Sequence, residues 1–156
     1  MPYNVPARQA ALLLLLGPTA LLAGALGFQY LGGLVPCEMC QWQRWAIVAA
    51  LGLALVGLAL GHARWLLALA ALAVLTGAGI AAFHAGVEQH WWKGITECTA
   101  TPVSGSASAM MGQILAQPLV RCDAIPWSLL GISMAGWNAI VSTVIGGTAL
   151  WQLTRA

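Results

Sequence analysis

The strongest constraint in this sequence is the spacing of its charges. No Asp, Glu, Lys or Arg stands between Arg8 and Glu38, between Arg44 and Arg64, between Arg64 and Glu88, or between Asp123 and Arg155. Each gap holds an apolar stretch of roughly 20 residues, enough to cross ~30 Å of hydrocarbon at ~1.5 Å rise per helical residue. The expected spans cover residues 10–28, 45–63, 65–87 and 127–150, with Pro18 bending the first. A tight turn around Gly61-His62-Ala63-Arg64 makes the middle two a hairpin, and residues 88–126 form the one long connection. The expected fold class is therefore an all-α integral membrane protein. It is a single domain over residues 1–156, a four-transmembrane-helix bundle. Only ten of the 156 residues are charged and 60% are hydrophobic, so a small water-soluble fold and a disordered chain are both excluded. A net charge of +2 from scattered side chains leaves no footprint for nucleic acid.

The first span also reads as a secretory signal, with Arg8 in front and Ala23-Gly24-Ala25 as a cleavage site. The length of the apolar run and the even number of spans favour its retention.

Orientation follows from the bases. Arg8, Arg64 and Arg155 mark one face, net +3, with no acid near them. The other face carries Glu38, Glu88, Glu97 and Asp123 with Arg44, Lys93 and Arg121, net −1. Both termini are then cytoplasmic. All tryptophans except Trp137 fall near expected span ends, as an interfacial belt requires. This map puts Cys37, Cys40, Cys98 and Cys122 all on the outer side, which in a bacterial inner membrane is the oxidising periplasm.

Four cysteines allow three connectivities, and the expected one is Cys37–Cys40 with Cys98–Cys122. Cys37-Glu38-Met39-Cys40 follows Pro36 and opens a helix. Its two-residue gap closes a ring too small to staple a fold, but it keeps a second thiol ready to resolve a mixed disulfide. A helix N-terminus and a guanidinium both favour thiolate. Arg44 supplies the latter, one turn beyond Cys40; a snorkelling arginine at a span end is its bland alternative. Gln41 and Gln43 keep this turn polar, which suits a pocket for a partly polar ligand such as a quinone head group. His84 lies near the outer end of the third span and is a candidate for that pocket, with Glu88 and His90 as weaker ones; a histidine there is often simply interfacial.

In the long outer loop, residues 101–108 are small and polar, the mark of a flexible segment. Met110, Met111, Ile114 and Leu115 follow at near-helical spacing, which predicts a short interfacial helix lying on the membrane. The Cys98–Cys122 loop would be stapled by ~3 kcal/mol on chain-entropy grounds, so a structural role for that pair has weight. A metal reading is also open: a small membrane metal-binding or transport protein using Cys, His and Met ligands. The spacing of the second cysteine pair fits no zinc ribbon, and Gln41 stands where a c-type haem motif needs histidine. No metal ligand set is assigned. A subunit whose disulfides only staple the loop is the third possibility.

Three motifs carry a resemblance. They are Pro36-Cys37-Glu38-Met39-Cys40-Gln41-Trp42-Gln43-Arg44; His84 ahead of Cys98; and Cys122 leading to Trp127-Ser128-Leu129-Leu130-Gly131-Ile132-Ser133-Met134. In this order, over four spans, the chain resembles the disulfide bond formation protein B (DsbB) family, the quinone-linked thiol oxidases of the bacterial inner membrane. The resemblance implies a relay. Cys98–Cys122 would oxidise a soluble periplasmic thioredoxin-like (DsbA-like) dithiol protein, with Cys98 forming the mixed disulfide. Electrons would pass to Cys37–Cys40, and Cys40, beside Arg44, would deliver them to ubiquinone or menaquinone in the membrane pool. Gln43 departs from the Glu that many members carry before the arginine. The tract 88–93, with its Trp pair, is typical of only part of the family. In a vitamin K epoxide reductase-like enzyme the membrane pair follows the loop pair, the reverse of the order here.

Overall fold

The computed structural model describes residues 5–96, 105–116 and 120–155. Cys98 lies outside them, as do the first half of the small polar tract, residues 101–104, and residues 117–119 after the loop helix. Four long helices run through the described residues: α1 (Val5–Tyr30), α2 (Glu38–Ala59), α3 (Arg64–Glu88) and α5 (Met134–Thr154). A ten-residue helix, α4 (Ala107–Ala116), lies in the long connection, and strands β1 (Ser128–Leu129) and β2 (Ile132–Ser133) form a small antiparallel hairpin before α5. Among the described residues, α1, α2 and α3 are long and apolar enough to cross a membrane, which makes this a multi-pass membrane protein.

The helices alternate in direction. Gln29 near the end of α1, Arg44 near the start of α2, His84 near the end of α3 and Asn138 near the start of α5 gather at one end of the bundle. At the other end the Arg64 guanidinium donates to the Leu153 carbonyl, tying the start of α3 to the end of α5. Gly61 and His62, both with positive φ, make the tight turn between α2 and α3.

Small residues set how closely the helices approach. The core consists of Ala7, Ala10, Ala11 and Leu14 of α1, Ala50 and Ala54 of α2, Leu67, Ala70, Ala71 and Val74 of α3, and Ile145, Ala149 and Leu153 of α5. Alanine-lined faces let backbones come close where hydrocarbon supplies no hydrophobic drive. At Gly146 a Cβ would lie 2.7 Å from Leu75 Cγ and 3.1 Å from the Ala71 carbonyl oxygen, so α5 rests directly on α3.

The apolar run from residue 127 does not enter its helix at once. Leu130 (φ 55°) and Gly131 (φ 79°) turn the chain back on itself, pairing Ser128 with Ser133 and Leu129 with Ile132. Ser133 then caps α5, its hydroxyl accepting from the Gly136 N–H at 3.1 Å. Trp137, which the sequence places mid-span, sits in the first turns of α5 and donates from its indole to the Leu129 carbonyl at 3.1 Å.

Candidate redox site at the end of the bundle

Cys37 is the N-cap of α2. Its sulfur accepts from the Cys40 backbone N–H at 3.3 Å, so one turn of helix geometry holds the two side chains of the motif together. The two sulfurs are 2.9 Å apart, with Cys37 donating to Cys40. That bond, together with burial and the adjacent Cys40 sulfur, pushes the Cys37 thiol well above its ordinary pKa. Cys37 is buried and Cys40 partly exposed.

A second buried cluster forms around this cap: Cys37, Met39, Val87 and Cys122, with Cys40, Phe83 and Val120 against it. The sulfurs of Cys37 and Cys122 and a ring nitrogen of His84 lie within 4.8 Å of one another. Cys122 is disulfide-bonded, and its sulfur also lies 3.4 Å from the Thr96 hydroxyl. Next to it, Arg121 and Asp123 form a two-point ion pair at 2.9 and 2.8 Å, which lowers the Asp123 pKa and raises that of Arg121.

Three helices contribute polar side chains to the same place. His84 of α3 is 3.6 Å from Cys37 Sγ through Nε2, and its Nδ1 accepts from Gln43 Nε2 of α2 at 3.1 Å. Gln43 Oε1 in turn accepts from Asn138 Nδ2 of α5 at 2.6 Å, and Asn138 Oδ1 from the Ser142 hydroxyl at 3.0 Å. Glu88, one turn beyond His84, is buried with its Oε1 3.9 Å from His84 Nε2. Arg44 is held from α1: its guanidinium donates to Gln29 Oε1 and, at 3.1 Å, to the Ala25 carbonyl.

Cys37, Cys40, Gln43, Arg44, His84 and Glu88 all line one cavity of about 620 Å³, walled otherwise by apolar side chains such as Leu21, Phe28, Ile47 and Trp127. The size is that of a small-molecule site, and an apolar wall with a few convergent polar groups is its usual make-up. A flat apolar ring with hydrogen-bond acceptors fits this donor set. Cys37, His84 and Cys122 could also present three metal-binding atoms, but a sulfur in a disulfide offers no thiolate to a metal.

The structure thus brings together Cys37, Cys40, Arg44, His84 and Cys122, while Cys98 falls outside the described residues. Glu88 joins the cavity; His90 is exposed, in a left-handed turn after α3. Sequence reasoning missed Gln29, Asn138 and Ser142; it read Gln43 as keeping a ligand pocket polar, and Gln43 does line the cavity. Their signal was present: an isolated polar side chain within an apolar run needs a partner.

Known proteins resemble this chain over nearly its whole length. The family model for disulfide bond formation protein DsbB matches residues 7–152. The disulfide bond formation protein B of Verminephrobacter eiseniae is 37% identical, over 95% of this chain and 86% of that protein. That of Methylococcus capsulatus is 34% identical over 96% of both, and that of Aromatoleum aromaticum 31% over 91% of this chain and 92% of its own. No solved structure matches. With a redox-type cysteine pair capping a membrane helix and a family match over nearly its whole length, the chain belongs to the DsbB disulfide bond formation family.

Proposed function

We propose that this protein is a quinone-dependent thiol oxidase that reoxidises a soluble thioredoxin-like dithiol protein on the periplasmic side. The observation that carries the reading is the approach of Cys122 to Cys37, within 4.8 Å, where Cys37 lines the same cavity as Cys40 and Arg44. In the same reading α5 is a fourth membrane span, both termini are cytoplasmic and α4 lies on the membrane surface.

The exchange proceeds by thiolate attack on disulfide sulfur. A partner thiolate attacks Cys98 of a Cys98–Cys122 disulfide; an S–S bond forms to Cys98 and Cys122 leaves as thiolate. Cys122 then attacks Cys37 of an oxidised Cys37–Cys40 pair, forming Cys37–Cys122 and releasing Cys40. The second partner thiolate resolves the mixed disulfide at Cys98, completing the partner's disulfide. The released Cys98 attacks Cys122 and leaves Cys37 and Cys40 reduced. Two electrons have moved from the partner to the membrane pair.

A quinone, ubiquinone or menaquinone, supplies the sink, taking up two electrons and two protons as it becomes a quinol. Arg44 and His84 would hold it, and the apolar wall would keep water from the reduced pair. Cys40 at the first turn of α2 has a helix N-terminus and a guanidinium nearby, both favouring thiolate.

Purified protein in detergent, given ubiquinone-1 and a reduced thioredoxin-like dithiol protein, should form quinol in step with loss of partner thiols. Neither reagent alone should support it. Cys40→Ser should abolish turnover, and an unchanged rate would overturn the reading.

A further inference from the structure

The contacts that converge on Cys37 share a direction. An amide nitrogen only donates and an amide oxygen only accepts. The Ser142 hydroxyl donates to Asn138 Oδ1, Asn138 Nδ2 to Gln43 Oε1, and Gln43 Nε2 to His84 Nδ1. His84 Nδ1 is therefore an acceptor, so in the neutral ring the proton resides on Nε2. That nitrogen faces the Cys122 backbone carbonyl, Glu88 Oε1 at 3.9 Å and Cys37 Sγ at 3.6 Å, and Cys37 in turn donates to Cys40 Sγ at 2.9 Å. The donors from Ser142 to His84 point the same way, from α5 through α2 to α3, and the last of them delivers an N–H to the place where Cys37 and Cys122 meet. Gln43, His84 and Ser142 are buried, shielded from the water that would otherwise scramble these orientations.

We propose that Asn138 is a positioning residue for the redox pair: through Gln43 it locks His84 in the Nε2–H tautomer and so makes Cys40, not Cys37, the final acceptor of the chain. Asn138 touches neither sulfur. It acts because Gln43 can turn either end of its amide toward His84, and only an amide nitrogen at position 138 decides which. Ser142 donates to Asn138 Oδ1, which leaves the Asn138 amide nitrogen turned toward Gln43. The inference rests on Cys37–Cys40 being the redox pair, but it concerns proton placement and is readable without turnover.

Asn138→Asp tests it almost isosterically. An ionised carboxylate only accepts, so Gln43 must turn its nitrogen toward residue 138 and its oxygen toward His84 Nδ1. That nitrogen must then carry a proton. Asn138→Leu removes the link without reversing it. The full-length protein, reduced in detergent micelles, is labelled with ¹⁵N-histidine, and the His84 signals are assigned by their loss in His84→Gln. Wild type should show an acceptor Nδ1 and a protonated Nε2. Asn138→Asp should convert Nδ1 to a protonated nitrogen, and Asn138→Leu should give a mixture of both tautomers.

Competitive alkylation, mapped by mass spectrometry, gives the second readout. The Cys40-to-Cys37 labelling ratio should fall by about three- to tenfold in Asn138→Asp, and less in Asn138→Leu. A His84 signature unchanged in both variants, or an unaltered labelling ratio, would overturn the proposal. If the wild-type ring shows these protons while quinone reduction is absent, the proton chain stands and the oxidase reading fails.

Discussion

The Cys122 sulfur lies within 4.8 Å of the Cys37 sulfur, although one belongs to the long loop and the other caps a membrane helix. Such a separation needs little movement before a bond can form. With Cys40 and Cys98 both changed to serine, Cys37 and Cys122 should pair in most molecules under mild oxidation. Non-reducing peptide mapping checks this; recovery of the two residues chiefly as free thiols would contradict it.

Arg44 is held by Gln29 and the Ala25 carbonyl. Hydrogen bonds to a charged group contribute about 1.5–3 kcal/mol. Gln29→Leu should therefore raise the KM for quinone about tenfold while changing kcat far less, because it disturbs the placement of the guanidinium rather than the thiols. Steady-state kinetics at varied ubiquinone-1 concentration separates the two constants.

The raised pKa of Cys37 has a definite sign. A thiol pushed above its ordinary value stays protonated through neutral pH, and its thiolate appears only as pH climbs toward the raised value. In the reduced protein, iodoacetamide should modify Cys37 at least about tenfold more slowly than a free cysteine near pH 7.5, a shift of one pKa unit or more. This suits Cys37 as the sulfur that is attacked.

Arg121 holds the Asp123 carboxylate below its ordinary pKa. A depressed carboxyl stabilises the fold above its unfolded value, about 3.9, and loses that contribution as pH falls through the folded value. The pair is largely exposed on the Arg121 side, so the effect is a fraction of a kcal/mol. Asp123→Asn should lower the melting temperature slightly near pH 7, and the difference should shrink as pH falls below the ordinary carboxylate range.

Two adjacent glycines in α5 should behave differently. Gly146→Ala drives a Cβ into Leu75 and the Ala71 carbonyl and should cost about 1–3 kcal/mol. Gly147→Ala meets nothing within 4 Å and should be neutral or stabilising by up to ~1 kcal/mol. Thermal unfolding in detergent distinguishes them, and equal melting temperatures would refute the helix contact.

Much of this was legible in the chain because it depends on local rules. The charge-free runs mark long helices, Gly61-His62 marks the hairpin, and a Cys-x-x-Cys after Pro36 marks a helix start. The hairpin before α5 was less visible, since Ser128–Ser133 is as apolar as a span; only Gly131 and the capping Ser133 betray it. Least visible was the meeting of Gln43, His84 and Asn138. Helices that are apolar all round carry no amphipathic face to say which sides pack together. Sequence could raise suspicion of Asn138 but could not name its partner.

The Asn138–Gln43 contact has a consequence for assembly that is separate from chemistry. Sliding α5 by one turn against α2 would move Asn138 about 5.4 Å along the axis and strand amide groups among hydrocarbon neighbours. The close approach of Gly146 to Leu75 and the Ala71 carbonyl would be lost in the same slide. This pair of amides therefore works as an indexing pin, fixing from α2 the same vertical alignment of α5 that the Gly146 contact fixes from α3.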